Sequence, residues 1–516
     1  MTGYLLRVWF DMHRNPITTD EMRSLELNAK YLGVSHSFLM LIAGREVARI
    51  IIDTTEVDGK SITILSGLGG NGGDGIVAAR YLDEAGAKVE VFLLGHEKTI
   101  SNEDTLVNWN ILKNLHRISI SSLTTESAVK SCKAIKSADI IVDGLMGFGL
   151  HSKLREPMLT AVKMVNKSEA IKYSIDMPTG IDSDTGDVHG DAVAANHTIS
   201  LHATKVGLKN APIFAGEIHV VTIGIPREAA YICGPGDLSP FNQPRSSSAK
   251  KGDSGRILVI GGSDVFAGAP ALAGMAALRT GSDLVSILAP EPVVPAIREY
   301  SPNLIVTSLG TQILQPESVE NVLEMMGNND VVAFGPGLGT HPETEVAVKS
   351  IVTKIVEAEK PLVLDADGLK AIASSGIKFS PDTVVLTPHW GELKILLNTD
   401  VGDSKNQENR IKRAIDAAIQ YNCVILLKGP IDVIAHPDGR YKLNRTGVPA
   451  MTVGGTGDVL AGIIASLLSN RGTAFQAAAA GAFVSGLAGE LAAQELGNHI
   501  VATDCIEKIP AVFNKF

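Results

Sequence analysis

The sequence predicts an α/β protein with two domains, each built on a parallel sheet. Strand-like apolar runs alternate with helical patterns from about residue 20 to residue 225 and again beyond residue 253, and several of these runs end in loops that contain Gly or Asp. The length of 516 residues allows two or three domains of roughly 150 residues. Four prolines and a run of three serines lie between the two stretches. We therefore place a linker at residues 227–250, between domains of residues 1–226 and 251–516.

The strands follow from the apolar runs, taken in chain order. In the first domain the predicted strands are Ser61–Leu65, Lys88–Leu93, Asp139–Val142, Lys172–Ile175 and Glu217–Ile223. In the second domain they are Arg256–Ile260, Leu284–Leu288, Asp330–Phe334, Pro361–Leu364, Thr383–Leu386 and Cys423–Leu427. Helical patterns are clearest at Ile76–Ala85 and Val459–Leu468, and the Ala/Gly-rich stretch Ala477–Gly489 is expected to pack inside a core.

Composition excludes several classes of protein. With 45% hydrophobic and 20% charged residues, the chain is neither disordered nor fibrous. A formal net charge of −10 argues against nucleic acid or an anionic membrane as partner, although backbone amides can still bind small anions. The four cysteines form no CxxC pair, so we expect neither a disulfide framework nor a zinc site. No secretory leader or membrane span is expected, and we predict a cytoplasmic protein that forms a homo-oligomer.

A glycine-rich segment follows the first predicted strand. Residues 66–75 read SGLGGNGGDG and precede the helical pattern Ile76–Ala85. The segment satisfies GxGxxG, so an ordinary dinucleotide-binding loop has to be considered. Asp74 argues against it, because a carboxylate beside a pyrophosphate costs Coulomb energy unless a cation intervenes. The loop is better suited to a cation or a sugar hydroxyl.

Two more carboxylates follow predicted strands of the first domain. Asp143 begins the segment DGLMGFG, and Asp176 begins DMPTGID. Carboxyl ends of parallel strands line one crevice, so these residues are expected to converge with Asn71, Asp74 and Thr179. Oxygen ligands of this kind suit a hard cation. The alternative is that each Asp merely caps a following helix.

The second domain carries a more specific set of loops. Residues 454–458 read GGTGD and open the helical pattern Val459–Leu468, which places backbone amides at a helix N-terminus and Asp458 where a hydroxyl would be deprotonated. Four further strand-end loops are GPGLG at 335–339, DADG at 365–368, TPHWGE at 387–392 and KGPID at 428–432. His389 either binds a ligand or satisfies its own loop. Together these loops indicate phosphate chemistry on a nucleotide.

These motifs carry a family resemblance. GGTGD and DADG resemble the ribokinase-like superfamily, and with residues 251–263, GAP at 268–270, GPGLG and TPH they resemble the ADP/ATP-dependent NAD(P)H-hydrate dehydratases. NGGDG at 71–75 and the segments at Asp143 and Asp176 resemble the NAD(P)H-hydrate epimerases. Both in this order resemble the bifunctional NAD(P)H-hydrate repair enzymes. The resemblance implies a Rossmann-like three-layer α/β/α domain followed by a ribokinase-like α/β domain.

The resemblance also implies the reactions and the residues that perform them. The first domain would interconvert the R and S hydrates of NADH and NADPH, and the second would dehydrate the S form with ADP or ATP, and Mg²⁺, giving NAD(P)H, AMP and phosphate. Asp176 and Asp458 would be catalytic, and a potassium ion would be bound by Asn71, Asp143 and Thr179. The hydrate would be held in the epimerase by Gly70, Asn71, Gly72, Gly73, Asp74, Gly147, Phe148, Gly149, Leu150, His151, Ser152, Lys153 and Asp176. In the dehydratase it would be held by Ala269, Gly337, His389 and Asp458, and the nucleotide by Lys428, Gly429, Pro430, Ile431, Asp432 and Gly457.

Two positions depart from the epimerase pattern. Gly70 stands where the family has a first Asn, and Leu41 stands where it has Glu.

Two other functions compete with the bifunctional enzyme. One is a small-molecule kinase fused to a Rossmann module, which leaves the three Asp residues of the first domain without a joint role. The other makes the first domain a nucleotide-sensing or scaffold module.

Overall fold

The computed structural model describes residues 16–149, 152–373, 375–470 and 472–516. The chain divides into two compact units, Met1–Arg227 and Glu228–Phe516. Each unit contains one sheet with helices packed on it, so the predicted α/β class is confirmed. Residues 228–250, assigned above to a linker, include two short helices and contribute Cys233 and Leu238 to the core of the second unit.

The first unit holds a seven-stranded parallel sheet in the order β3-β2-β1-β4-β5-β6-β7. Its strands are β1 Ser61–Ser66, β2 Lys88–Leu93, β3 Ser119–Ser122, β4 Ile140–Gly144, β5 Ile171–Ile175, β6 His197–Leu201 and β7 Glu217–Val221. Its helices are Thr19–Tyr31, His36–Thr54, Gly70–Glu84, Glu103–Leu112, Glu126–Ser131, Lys133–Ser137, Met158–Lys167, Val206–Asn210 and Pro212–Ala215, with a 3-10 turn at Glu97–Thr99.

Helices cover both faces of this sheet. Leu65 of β1 joins a core with Val162 of the helix Met158–Lys167. Its neighbour Ile64 faces the other way, where a Cβ at Gly75 of the helix Gly70–Glu84 would lie 3.1 Å from it. Strands covered on both faces are nearly continuous apolar runs, which is why β1 and β4 were recognisable in the sequence.

The second unit holds a nine-stranded sheet in the order β10-β9-β8-β11-β12-β13-β14-β15-β16. Its strands are β8 Arg256–Ile260, β9 Leu284–Ala289, β10 Ile305–Ser308, β11 Val331–Phe334, β12 Leu362–Leu364, β13 Val384–Leu386, β14 Val424–Leu427, β15 Asp432–Ala435 and β16 Tyr441–Asn444. The pairs β14–β15 and β15–β16 are antiparallel, whereas the sequence predicted a parallel sheet only.

The helices of the second unit complete its layers. They are Glu228–Tyr231, Pro235–Leu238, Gly268–Thr280, Val294–Tyr300, Val319–Gly327, Pro342–Glu357, Asp367–Ile372, Trp390–Leu397, Gln407–Tyr421, Thr456–Leu468, Ala474–Leu496 and Ala502–Lys515. Short 3-10 turns occur at Ser239–Phe241, Glu291–Val293, Pro316–Ser318, Pro449–Met451 and Gly497–His499.

The Ala/Gly-rich stretch Ala477–Gly489 is buried inside the second unit, as predicted. It therefore offers no free face for association of subunits. None of the helices within the described ranges combines the length and the apolarity needed to cross a bilayer. All four cysteines are buried and free, so no disulfide links any of them.

Candidate active sites

The carboxyl ends of β1 and β4 lie side by side where the strand order of the first sheet reverses. The Gly67 amide donates a hydrogen bond to the Gly144 carbonyl at 3.0 Å and joins the two strand ends. Ligands of open α/β sheets bind in the crevice at such a switch point. The glycine-rich segment and Asp143 therefore lie where a small-molecule site is expected.

The glycine-rich segment is helical over much of its length. The helix begins at Gly70, so residues 70–75 form its first turns and not the loop that was predicted. Close packing explains these glycines: a Cβ at Gly72 would lie 2.1 Å from the Gly67 carbonyl oxygen, and one at Gly73 would lie 2.4 Å from the Thr105 hydroxyl. At Gly70, by contrast, a Cβ would find its nearest neighbour 3.9 Å away.

Asp143 and Thr179 are joined directly. The Thr179 hydroxyl donates to one carboxylate oxygen of Asp143 at 2.6 Å, its amide donates to the other at 2.9 Å, and the Ser174 hydroxyl adds a bond of 2.8 Å. Burial raises the pKa of Asp143, and these hydrogen bonds counter part of that rise. A buried carboxylate of this kind is stabilised further by a nearby cation.

Asn71 lies beside the segment that follows Asp143. A Cβ added at Gly147 would lie 3.2 Å from the Asn71 side-chain oxygen, and the Asn71 side-chain nitrogen is buried without a hydrogen-bond partner. The Met146 carbonyl oxygen lies 3.3 Å from the Thr179 hydroxyl. Carboxylate, hydroxyl, amide and carbonyl oxygens are the donors that hard cations prefer. The residues present thus fit a potassium ion in their chemistry.

Asp176 forms a second group with a buried lysine. It follows β5 with a φ of 64°, a strained conformation for a residue other than glycine. Its carboxylate accepts hydrogen bonds from the Lys205 ammonium and from the Leu201 amide, the latter at 3.1 Å. Lys205 is 0% exposed and also donates to the Leu201 carbonyl at 2.7 Å. The ion pair fixes the Asp176 carboxylate in one orientation.

Two further carboxyl groups interact electrostatically with this pair. Burial, and then the charge of Asp176, raise the pKa of Glu26 to about 7. Burial, followed by the charges of Asp176 and Glu26, raises the pKa of Asp74 well above its usual range. Sequence reasoning found Asp74 and Asp176 but missed Glu26 and Lys205. Glu26 lies in the first helix outside any motif, and Lys205 follows β6, which was not predicted.

The predicted hydrate-binding segment 147–153 is partly described. The Phe148 carbonyl accepts a hydrogen bond from the Ser183 hydroxyl at 3.0 Å. Ser152 and Lys153 line a cavity of about 420 Å³ together with Met146. Leu150 and His151 lie outside the described residues, and a Cβ at Gly149 would have open space around it.

In the second unit, the loops after β11 to β14 follow four adjacent strands. The Lys428 ammonium, after β14, lies 2.8 Å from the Asp365 carboxylate, after β12. A Cβ at Gly457 would lie 3.5 Å from that ammonium and 3.9 Å from Asp365. Three loops predicted separately from the sequence thus meet at one point.

Asp458 lies in the first turn of the helix Thr456–Leu468, whose N-cap Gly455 has a φ of 92°. Burial raises the pKa of Asp458 to about 7, the charge of Asp365 adds to the rise, and Lys428 opposes it. A carboxyl group with such a pKa exchanges a proton near neutral pH, as a general base must. The helix N-terminus beside it carries about half a positive charge.

His389 caps the helix Trp390–Leu397. Its Nδ1 accepts hydrogen bonds from the amides of Gly391 and Glu392, at 3.0 and 3.2 Å. The Glu392 carboxylate accepts in return from the His389 amide at 2.8 Å. Hydrogen bonds within its own loop, the alternative considered for this residue, therefore occupy Nδ1. The side chain is 59% exposed, and Nε2 lies 3.6 Å from Glu392.

Arg410 supports the loop from Lys428 to Asp432. Its guanidinium donates to the carbonyls of Lys428 and Ile431, both at 3.2 Å, and its carbon lies 5.7 Å from the centre of the Trp390 ring. A Cβ at Gly429 would lie 2.3 Å from this guanidinium. Sequence analysis missed Arg410 because it lies on an amphipathic helix without a motif.

Ala269 and Gly337 lie together in the segments that follow β8 and β11, where the strand order of the second sheet reverses. Gly337 has a φ of 69°, and a Cβ there would lie 3.1 Å from the Ala269 methyl group and 2.8 Å from Phe266. The Gly262 amide donates to the Pro336 carbonyl at 2.8 Å and links the two strand ends.

Two curated relatives match the chain along nearly its whole length. The bifunctional NAD(P)H-hydrate repair enzyme Nnr of Pyrobaculum aerophilum is 42% identical over 97% of this chain and 98% of its own. The enzyme of the same name from Hyperthermus butylicus is 40% identical over 96% of this chain and 92% of its own.

The chain belongs to the bifunctional NAD(P)H-hydrate repair enzyme family.

Each of the two units matches its own family model. Residues 36–207 match the model described as YjeF-related protein N-terminus, and residues 257–511 match the model described as NAD(P)H-hydrate dehydratase. Among solved structures, the ADP/ATP-dependent NAD(P)H-hydrate dehydratase of Bacillus subtilis, co-crystallised with ATP and Mg²⁺, is 29% identical, with a TM-score of 0.45, over 54% of this chain and 96% of its own. The full-length relatives and the two family models confirm the resemblance inferred from the motifs.

Proposed function

We propose that this repair-family member restores hydrated NADH and NADPH in two steps. Residues 1–226 would interconvert the R and S hydrates, and residues 251–516 would dehydrate the S hydrate with a nucleoside phosphate. The observation that carries the proposal is Asp458, a carboxyl group with a pKa of about 7 at a helix N-terminus. Lys428 beside it supplies positive charge for a phosphate.

In the first unit, Asn71, Asp143 and Thr179 would hold a potassium ion. Such an ion supplies fixed positive charge for a hydroxyl or phosphate oxygen of the hydrate. The hydrate would lie along residues 70–74 and 147–153, beside the cavity at Ser152 and Lys153. Inversion at C6 requires one of its bonds to break and re-form: as the hydroxyl proton leaves, the bond from C6 to the ring nitrogen would break to give an aldehyde and a protonated nitrogen. The nitrogen would then add to the other face of the aldehyde as the proton returns to the oxygen, and Asp176 is the group proposed to move this proton.

Lys205 would orient Asp176 for this transfer. The strained backbone at Asp176 and the bonds from Lys205 and Leu201 leave its carboxylate one orientation. Preorganisation of this kind lowers the reorganisation needed in the transition state. Glu26, with a pKa of about 7, would supply a proton near neutral pH, and Asp74, whose pKa burial raises well above its usual range, lies in the same electrostatic group.

In the second unit, Asp458 would remove the proton from the hydroxyl of the hydrate. The hydroxyl oxygen would then take the terminal phosphoryl group of the nucleotide, so that ADP leaves as AMP. Loss of the adjacent C5 proton and of phosphate would form the C5–C6 double bond and release NAD(P)H. Lys428 and the amides at Gly457 would stabilise the transferred phosphoryl group.

The nucleotide would be held by the loop from Lys428 to Asp432. The Gly429 amide donates to Asp432 at 2.9 Å, and Arg410 donates to the loop carbonyls. The loop is therefore rigid before any ligand arrives. Mg²⁺ would neutralise the phosphate charge when it is bound with the nucleotide. Ala269, Gly337 and His389 would contact the hydrate.

The test supplies the hydrate of NADH with ADP or with ATP and follows the return of dihydronicotinamide absorbance. Return with at least one nucleotide is expected, and no return with either refutes the proposal. Asp458→Asn is expected to abolish dehydration while epimer exchange, followed by chromatography, continues. Loss of both activities in a folded variant would contradict two separate sites.

The same experiment tests the other functions. Intact epimer exchange in Asp458→Asn excludes a first unit that serves only as a sensor or scaffold. A small-molecule kinase would accumulate a stable phosphorylated product, which the repair reaction does not. We propose the cytoplasm, where the reduced nicotinamide pool is used, as the compartment of the reaction.

A further inference from the structure

Three side chains with metal-binding groups lie together at the amino-terminal ends of two neighbouring strands of the first sheet. They are His197, the first residue of β6, and Glu217 and His219 on the neighbouring strand β7. In the parallel register His197 pairs with Glu217, and His219 lies two residues further along. Residues two apart on a strand point to the same face, so the three side chains share one side of the sheet.

The cluster lies away from the proposed epimerase site. His197 and Glu217 begin their strands, whereas Asp143 and Asp176 lie at or beyond the ends of β4 and β5. In a parallel sheet all strands start on one side and end on the other, so the cluster and these two residues lie at opposite ends of the strands. The cluster is thus not part of the hydrate or potassium site proposed above.

One ligand atom from each of the three residues lies within 4.8 Å of the others, close enough for small side-chain movements to bring all three to one ion. His197 Nδ1 lies 3.1 Å from His219 Nε2 and 3.6 Å from one Glu217 oxygen. The other Glu217 oxygen lies 3.9 Å from His219 Nε2. Tetrahedral Zn²⁺ with bonds of about 2.0–2.1 Å places its ligands about 3.4 Å apart. Glu217 is 67% exposed, so its side chain can move the few tenths of an ångström required.

The imidazole of His197 is held in place by its surroundings. Its ring stacks on Tyr173 with centroids 4.7 Å apart and an interplanar angle of 14°. The Tyr173 hydroxyl is in turn hydrogen-bonded to the hydroxyls of Thr54 and Thr55, both at 2.7 Å. Orientation of a ligand by surrounding groups is what built metal sites provide.

Although the sequence predicted no zinc site, we propose that His197, Glu217 and His219 form a binding site for a transition-metal dication of the Zn²⁺ class. Two neutral imidazoles and one carboxylate bring one negative charge to the ion, and nitrogen ligands favour Zn²⁺ over Mg²⁺ or Ca²⁺. Water completes the coordination. Because β7 is the outer strand of the sheet, the ion ties this edge strand to β6.

Calorimetric titration of the full chain with Zn²⁺ tests the site. We expect saturable binding and a rise in the melting temperature of the protein with Zn²⁺ but not with Mg²⁺. Co²⁺ is expected to give the visible absorption bands of a tetrahedral complex. Absence of saturable Zn²⁺ binding overturns the proposal.

Variants locate the binding. Glu217→Gln and His219→Ala are each expected to weaken Zn²⁺ binding by roughly tenfold or more. His116→Ala, which removes an exposed imidazole outside the cluster, serves as the control. Unchanged affinity in Glu217→Gln and His219→Ala overturns the assignment. Glu217 is exposed at the start of its strand, so its variant keeps the test valid even if His219→Ala fails to fold.

Discussion

Asp458→Asn is expected to stabilise the second unit while it removes the proposed base. The pKa of Asp458 rises from 3.8 to about 7 on folding because the carboxyl group is buried near Asp365. A shift of one pKa unit corresponds to about 1.4 kcal/mol, so ionisation of Asp458 costs the folded state about 4 kcal/mol. Asparagine has nearly the same shape and never carries that charge.

The sign of the effect depends on pH. The folded pKa of Asp458 lies above the unfolded value, so the unfolded chain loses this proton first as pH rises. Below about pH 4 both states are protonated, and the wild type and the variant are expected to have similar stability. The advantage of the variant grows between pH 4 and 7 and stays near its full value, about 4 kcal/mol, above pH 8.

Trp390 provides a probe in the same unit. In a background with Trp9→Phe and Trp109→Phe, urea unfolding followed by Trp390 fluorescence would report the second unit alone. The free energy of unfolding is compared, at pH 5 and at pH 8.5, between this background and the same background carrying Asp458→Asn. An equal difference at both pH values, or a less stable variant at pH 8.5, would refute the buried-charge reasoning.

Three further outcomes are expected. Lys205→Met leaves a buried carboxylate without its cation, so we expect a loss of about 3–5 kcal/mol in the stability of the first unit; the epimer exchange rate should fall strongly, and Lys205→Arg should restore part of it. Gly429→Ala places a methyl group against the Arg410 guanidinium and should weaken nucleotide binding roughly tenfold. Gly327→Ala, whose methyl group would find open space, is the control and should leave nucleotide binding unchanged. The dehydration rate should fall about tenfold per pH unit below pH 7, because Asp458 must be ionised to act; a flat profile from pH 5 to 8 contradicts this role.

Most of the strands that the sequence predicted are covered on both faces, although the largely exposed edge strand β7 was predicted as well. β11 is apolar throughout and β8 is apolar after Arg256, and both were found within one residue at each end. The strand β3 reads Ser-Ile-Ser-Ser and is largely exposed at the sheet edge, so it has no apolar run to detect. In β6, the buried Thr198 and Ser200 hydroxyls donate to backbone carbonyls. Because these bonds allow polar residues inside the core, β6 has no apolar run in the sequence.

The site was predictable where its residues belong to contiguous motifs. Asp143 lies at the end of a strand, Asp365 follows one and Asp458 lies in the first turn of a helix, so their placement follows from the chain itself. Glu26 and Arg410 act across long sequence separations, and their roles depend on how helices pack. No local pattern carries that information.

Both sites obtain a group that titrates near neutral pH in the same way. In the first unit, burial and the charge of Asp176 raise the pKa of Glu26. The positive charges of Lys205 and Arg23 lower it. In the second, Lys428 faces Asp365 and Asp458. In each cluster burial raises the pKa of one carboxyl group, Glu26 or Asp458, to about 7, and the charge of a neighbouring carboxylate adds to the rise. Burial is the largest cause of both shifts, the neighbouring carboxylate adds to each, and together they would set the pH at which the proposed proton transfers occur.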